Sequence, residues 1–242
     1  MTLQGLPPHR SGDPPQALEA ILFDCDGVLV DSEPITLRVL TDCLRAFGWQ
    51  LSLEECMEQF LGRALQNELD RIARHAGRRP DEAWIAEFRR QRDEALLHEV
   101  QPTPGIASIL PELHTGLGGR IACASGADRR KIELQLSVTG LIQWFEGRMF
   151  SGHEMPHTKP APDVYLAAAS FLGVDPKRCL VVEDSPTGVK AGVAAGATVL
   201  GFLPVFRPSK LAEELQHAGA VLVFENMQAL PALARSLGLV MR

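Results

Sequence analysis

Five short apolar runs, the first three cut off by a polar residue, leave this chain few folds to adopt. Ala20-Ile21-Leu22-Phe23 stops at Asp24-Cys25-Asp26-Gly27, and similar runs follow at Ile121 to Ala124, Leu180 to Val182, Thr198 to Phe202 and Ala220 to Val223. Each has the length of a strand, and the lack of apolar–polar alternation implies that both faces are covered. Helical periods separate the runs, at Ile132 to Leu136, Val164 to Phe171, Val189 to Ala195 and Leu211 to His217. Buried strands alternating with helices predict an α/β fold with a doubly wound parallel sheet.

Residues 35–100 break that rhythm. Ile35 to Phe47 reads as a helix stopped by Gly48, and Ser52 with Glu55 three residues later forms a capping box. Gln66 to Ala76 is a further helix stopped by Gly77, and another, opened by Pro80, runs from Asp81 to about His98. No strand-like run interrupts them, so the pattern predicts an α-helical cap domain, residues 35–102, inserted into a core domain of residues 18–34 and 103–242. Pro102-Thr103-Pro104-Gly105 has the composition of the return hinge. Residues 1–17 hold four of the 17 prolines and few large apolar groups, which predicts a disordered tail.

Composition narrows the function. With 24 Lys+Arg against 30 Asp+Glu the formal net charge is −6, which offers no general field for nucleic acid. The Arg89-Arg90-Gln91-Arg92 stretch is interleaved with Glu87 and Glu94 and reads as a solvated helix face. No run approaches the roughly 18 apolar residues of a membrane span, and the first residues lack a secretory apolar core. The five cysteines, odd in number and without C-x-x-C spacing, suit buried reduced thiols in a cytoplasmic protein. A monomer or weak dimer is expected. His153-Glu154-Met155-Pro156-His157 matches the H-E-x-x-H zinc pattern, but Pro156 would break the helical turn that the pattern needs. That segment reads as the loop that delivers Lys159.

Ligands of parallel α/β sheets bind beyond the carboxyl ends of the strands. There the first run ends in Asp24 and Asp26, the second in Ser125-Gly126 and the third in Glu183-Asp184, while the loop from Phe150 leads to Lys159. Carboxylates crowded on one rim repel and require a cation. Oxygen ligands with one nearby Lys suit Mg²⁺, which keeps waters for a phosphate to replace. A carboxylate beside that ion can attack phosphorus. The expected roles are Asp24 as nucleophile and Asp26 as acid and base. Ser125 and the Gly126 N–H, at a helix start, would hold phosphoryl oxygens; Lys159 would neutralise charge there and pair with Asp24. Glu183 and Asp184 would hold the metal.

These residues sit in four ordered motifs: Asp24-x-Asp26-Gly27-Val28-Leu29-Val30-Asp31-Ser32-Glu33, Ala124-Ser125-Gly126, Lys159-Pro160-x-Pro162-Asp163 and Glu183-Asp184-Ser185-x-x-Gly188. Together they resemble haloacid dehalogenase-like phosphohydrolases of the β-phosphoglucomutase-like branch, over roughly residues 18–235. The resemblance implies an Mg²⁺-dependent phosphomonoester hydrolase acting on a small phosphorylated metabolite through an aspartyl-phosphate on Asp24. It also implies that Asp26 supplies a backbone carbonyl to the metal alongside Asp24, Glu183 and Asp184. Mutases of the branch place a His about a dozen residues after the nucleophile, where this chain has Thr36, and a Lys and an Arg in a cap loop, where it has Leu61 and Leu65. Hydrolysis is therefore expected over a phosphosugar mutase. True dehalogenases need neither Asp26 nor the acidic pair, and a non-catalytic phosphometabolite-binding module would have lost a motif carboxylate. Asp24-Cys25-Asp26-Gly27 and Phe150-Ser151-Gly152-His153 locally resemble sugar and sugar-acid phosphatases of the 6-phosphogluconate type. Arg63, in the cap loop, is the candidate to meet a substrate carboxylate or hydroxyl.

Overall fold

The computed structural model describes residues 17–63 and 65–241. The tail expected over residues 1–17 lies outside them, Ala17 excepted. Six parallel strands form one sheet in the order β3-β2-β1-β4-β5-β6. They are β1 (Ala20–Phe23), β2 (Ile121–Ser125), β3 (Met149–Ser151), β4 (Cys179–Glu183), β5 (Thr198–Phe202) and β6 (Leu222–Phe224). The strand order reverses beside β1, which is the switch point where a doubly wound sheet opens a crevice.

Strand parity divides the core. Ile21, Phe23, Ile121, Cys123, Leu180 and Val182 point to one side, where they pack with α5 (Ile106–Gly116), α6 (Arg129–Val138) and α10 (Leu230–Ser236). Ala20, Leu22, Ala122, Ala124 and Val181 point to the other, against α7 (Asp163–Leu172), α8 (Pro186–Ala194) and α9 (Leu211–Ala218). Every residue of β1, β2 and β4 is buried, so these strands carry no alternation to read.

Four helices come between β1 and α5: α1 (Glu33–Phe47), α2 (Leu53–Phe60), α3 (Leu69–Ala76) and α4 (Glu82–Glu99). They gather around a cluster of their own that includes Leu44, Trp49, Phe60, Ile72 and Phe88. The capping box forms as expected: Ser52 Oγ accepts from the Glu55 N–H and the Glu55 carboxylate accepts from the Ser52 N–H. Asp81 caps α4 by accepting from the Trp84 N–H at 2.8 Å. The two chain segments that join this bundle to the sheet run side by side. The Asp31 N–H donates to the Gln101 carbonyl at 2.9 Å, and the Thr103 N–H donates to the Leu29 carbonyl at 3.0 Å.

Three elements depart from the sequence reading. Met149–Ser151, read as loop, is the edge strand β3, too short and too exposed to show a run. The helix α5, with Pro111 inside it, follows directly on Gly105, where only a hinge was expected. The last helix, α10, was not anticipated either. All five cysteines are buried and unpaired. No helix among the described residues is long and apolar enough to cross a membrane.

Candidate active site

Register builds the site. Phe23 of β1 lies opposite Val182 of β4, so the next residues, Asp24 and Glu183, end up level on neighbouring strands. Parity then turns both side chains to the α7 side. Lys159 Nζ donates to Asp24 Oδ1 at 2.8 Å, to Glu183 Oε1 at 2.7 Å and to the Ala124 carbonyl at 3.0 Å. Tyr165 of α7 donates its hydroxyl to the same Glu183 oxygen at 2.7 Å. The other Glu183 oxygen accepts from the Ser185 N–H at 3.1 Å and its hydroxyl at 3.0 Å. Close backbone approach is needed here: a Cβ on Gly188 would stand 1.6 Å from Glu183 Oε1. At Gly27, where φ is +74°, a Cβ would stand 1.9 Å from Asp184 Oδ2.

Asp24, Glu183 and Asp184 each present one carboxylate oxygen, and the three atoms lie within 4.8 Å of one another. Lys159 compensates two of them. Asp184 has no hydrogen bond or ion pair among the described residues, a costly position for a charge beside two others. Burial, against the pull of Lys159, pushes the Asp24 carboxyl up to about 7. Burial and the neighbouring Glu183 and Asp24 hold Asp184 well above the usual carboxylate range. Burial alone would lower Lys159, but Asp24 and Glu183 outweigh it and hold the ammonium well above its ordinary pKa. An all-oxygen trio with an excess of negative charge fits a hard divalent cation.

Asp26 faces elsewhere. Its Oδ1 accepts from Lys131 Nζ at 2.6 Å, from Gln135 Nε2 at 2.8 Å and from the Ser32 hydroxyl. Burial would raise this carboxyl, yet the Lys131 charge and those hydrogen bonds bring it down to about 2. Ser32 stands at the N-cap of α1 but makes no capping bond, because its hydroxyl is engaged by Asp26. Its side chain therefore does not join the carboxylate trio. Glu33 beside it is pushed up to about 7 by burial and by the Asp26 charge.

Ser125 is buried at the end of β2, its Oγ accepting from the Ala127 N–H at 3.1 Å. Gly126 does not open a helix as expected. The helix α6 begins at Arg129, because Asp128 is the stronger cap and accepts from the Lys131 N–H at 2.9 Å. A cavity of about 210 Å³ joins Asp24, Asp26, Ser125, Gly126, Lys159 and Asp184 from the sheet side. From the helical bundle Thr36, Arg63 and Arg89 close it. Arg63 lies 3.6 Å from Glu68 with half of its side chain exposed, and the buried Thr36 Oγ1 has no partner among the described residues.

The zinc-like pattern is dispersed. Gly152–Glu154 forms a 3₁₀ turn, Glu154 pairs with Arg129, and the mostly exposed His157 lies 3.3 Å from Asp163. Among the described residues the Asp24–Glu183–Asp184 trio is the one such group close enough to hold a metal ion. Sequence reasoning missed Tyr165, Ser32, Lys131 and Gln135. The last two left a signal: they stand one turn apart on α6 beside the buried Ile132 and Leu136, polar groups on an apolar face.

A family model for haloacid dehalogenase-like hydrolases matches residues 18–196. The 6-phosphogluconate phosphatase of Escherichia coli (strain K12) is 26% identical over 91% of this chain and 96% of its own length. Hexitol phosphatase B of the same organism is 32% identical over 75% of this chain and 82% of its own. A family hydrolase from Deinococcus radiodurans R1, solved with bound phosphate and sodium, superposes with a TM-score of 0.75 at 33% identity. That match covers 94% of this chain and 99% of the other.

Proposed function

The chain belongs to the haloacid dehalogenase-like hydrolases, and we propose that it hydrolyses a small phosphorylated sugar or sugar acid through an aspartyl-phosphate on Asp24, with Mg²⁺ as cofactor. The observation that carries this reading is the strand register that sets Asp24 beside Glu183, Asp184 and Lys159 at one end of the cavity. Asp24, Glu183 and Asp184 would hold the ion, with the backbone carbonyl of Asp26. When bound, Mg²⁺ would bring the Asp24 carboxyl to its ionised form and offset charge on the phosphoryl group.

An Asp24 oxygen attacks phosphorus as the ester oxygen leaves; Asp26, held ionised in the free enzyme by Lys131 and its hydrogen bonds, would relay to that oxygen the proton that a monoanionic phosphate ester brings in. Water then attacks phosphorus, passes a proton to Asp26 and releases inorganic phosphate, freeing Asp24. Lys159 and Ser125, with the backbone N–H of Gly126, would hold the phosphoryl oxygens throughout. The α1–α4 bundle would act as a cap that excludes water, moving on the paired segments near Ser32–Pro34 and Gln101–Gly105.

Hydrolysis is preferred to phosphosugar transfer because Thr36, Leu61 and Leu65 occupy the positions where a mutase of this branch carries its control residues. Two relatives, a 6-phosphogluconate phosphatase and a hexitol phosphatase, support a six-carbon substrate, and Arg63, which lines the cavity from the bundle, would meet its far end. A screen of phosphorylated metabolites with Mg²⁺, ranked by kcat/KM, is expected to put phosphorylated six-carbon alditols or aldonic acids first. Phosphate release from nucleotides alone, or from none of the panel, would contradict it.

A further inference from the structure

Asp26 is held by one oxygen only. Its Oδ1 gathers three donors, Lys131, Gln135 and Ser32, while Oδ2 receives none among the described residues and Asp26 lines the cavity. The holders are themselves fixed. Gln135 is fully buried, and its Oε1 accepts from the Cys25 thiol at 3.6 Å, which sets which end of the amide donates to Asp26. Lys131 is buried on the same face of α6, one turn away, and Asp26 is the carboxylate that it touches.

We propose that Lys131 and Gln135 are positioning residues for the proton transfers, clamping Oδ1 so that Oδ2 is the oxygen that exchanges protons with substrate and water. Lys131 also lines the cavity and Gln135 is not among the residues that line it; in this proposal both act through Asp26. Ester cleavage needs a proton delivered to an alkoxide, so loss of the clamp slows transfer from an alkyl phosphate to Asp24. A p-nitrophenolate leaves without that proton, and only the later attack of water still needs Asp26 as base. The clamp should therefore separate two substrates that a phosphate-binding or merely structural lysine would treat alike.

The test is Lys131→Met in the full chain. Its kcat/KM for an alkyl phosphate of the best substrate class should fall about 100-fold, the scale of one general acid, with that for p-nitrophenyl phosphate held within about threefold. On the second substrate kcat should still drop, with a burst of one p-nitrophenolate per site. Gln135→Met, which keeps the Lys131 charge, should show the same pattern more weakly and guards against a folding failure. An equal fall in kcat/KM for both substrates in either variant, or no change in either, would overturn the proposal. The inference rests on Asp24 as nucleophile and Asp26 as acid and base. An active Asp24→Asn variant would sink that reading itself, whereas an inert one with uniform loss in Lys131→Met would sink only the clamp.

Discussion

Asp24→Asn is expected to abolish turnover, lowering kcat by roughly 10⁴-fold or more, the scale seen when a nucleophile is removed from a catalytic unit. The amide keeps the shape of the carboxylate but lacks the charge that attacks phosphorus. Folding should survive. Asp24 sits in a crowd of like charges, and Lys159 keeps Glu183 as a partner at 2.7 Å. The measurement is phosphate release alongside thermal unfolding, and the expected result is an inactive protein whose Tm stays within a few degrees of the parent. A variant with activity near that of the parent would remove Asp24 from the chemistry.

The second large effect concerns the metal. Stripping divalent ions with a chelator should reduce phosphate release by on the order of 100-fold or more, since a Lewis acid contributes several kcal/mol to such a step. Mg²⁺ should restore it and Ca²⁺ should not, because Ca²⁺ takes longer bonds and a looser shell. The structural ground is the trio of Asp24, Glu183 and Asp184, with Asp184 left uncompensated by any described side chain. Binding to the folded state alone also predicts that Mg²⁺ raises Tm as its concentration rises. Asp184→Asn should weaken both effects. Full activity after thorough chelation would rule the ion out of the reaction.

Strands buried on both faces announce themselves as apolar runs, which is why β1, β2, β4 and β5 and the sheet they form were legible. Once the sheet is parallel, residues that follow its strands must share one rim, so Asp24, Ser125, Glu183 and Asp184 could be placed together without coordinates. What the sequence hid depends on docking. Tyr165 and Lys131 lie on helices, and whether a helical side chain reaches the site is set by the seating of that helix on the sheet. Lys131 also stood one residue before the period read for α6, whose true start is fixed by the Asp128 cap. The same cap displaced Gly126 from the helix start expected of it. At β3 only three residues pair, and Met149 and Phe150 are half-buried, so tertiary pairing decides a strand that local pattern does not. The direction of the Asp26 carboxylate, towards α6 instead of the acidic trio, rests on contacts 105 and 109 residues away in the chain, which no local motif records.

The most direct test is to mix the enzyme and Mg²⁺ with a substrate labelled in its phosphoryl group, quench in acid within one turnover, and map the label by peptide mass spectrometry. A phosphoryl group on the carboxylate of Asp24, absent in Asp24→Asn, is the expected finding. Label passing to inorganic phosphate with no modified carboxylate, or settling on another side chain, would contradict it.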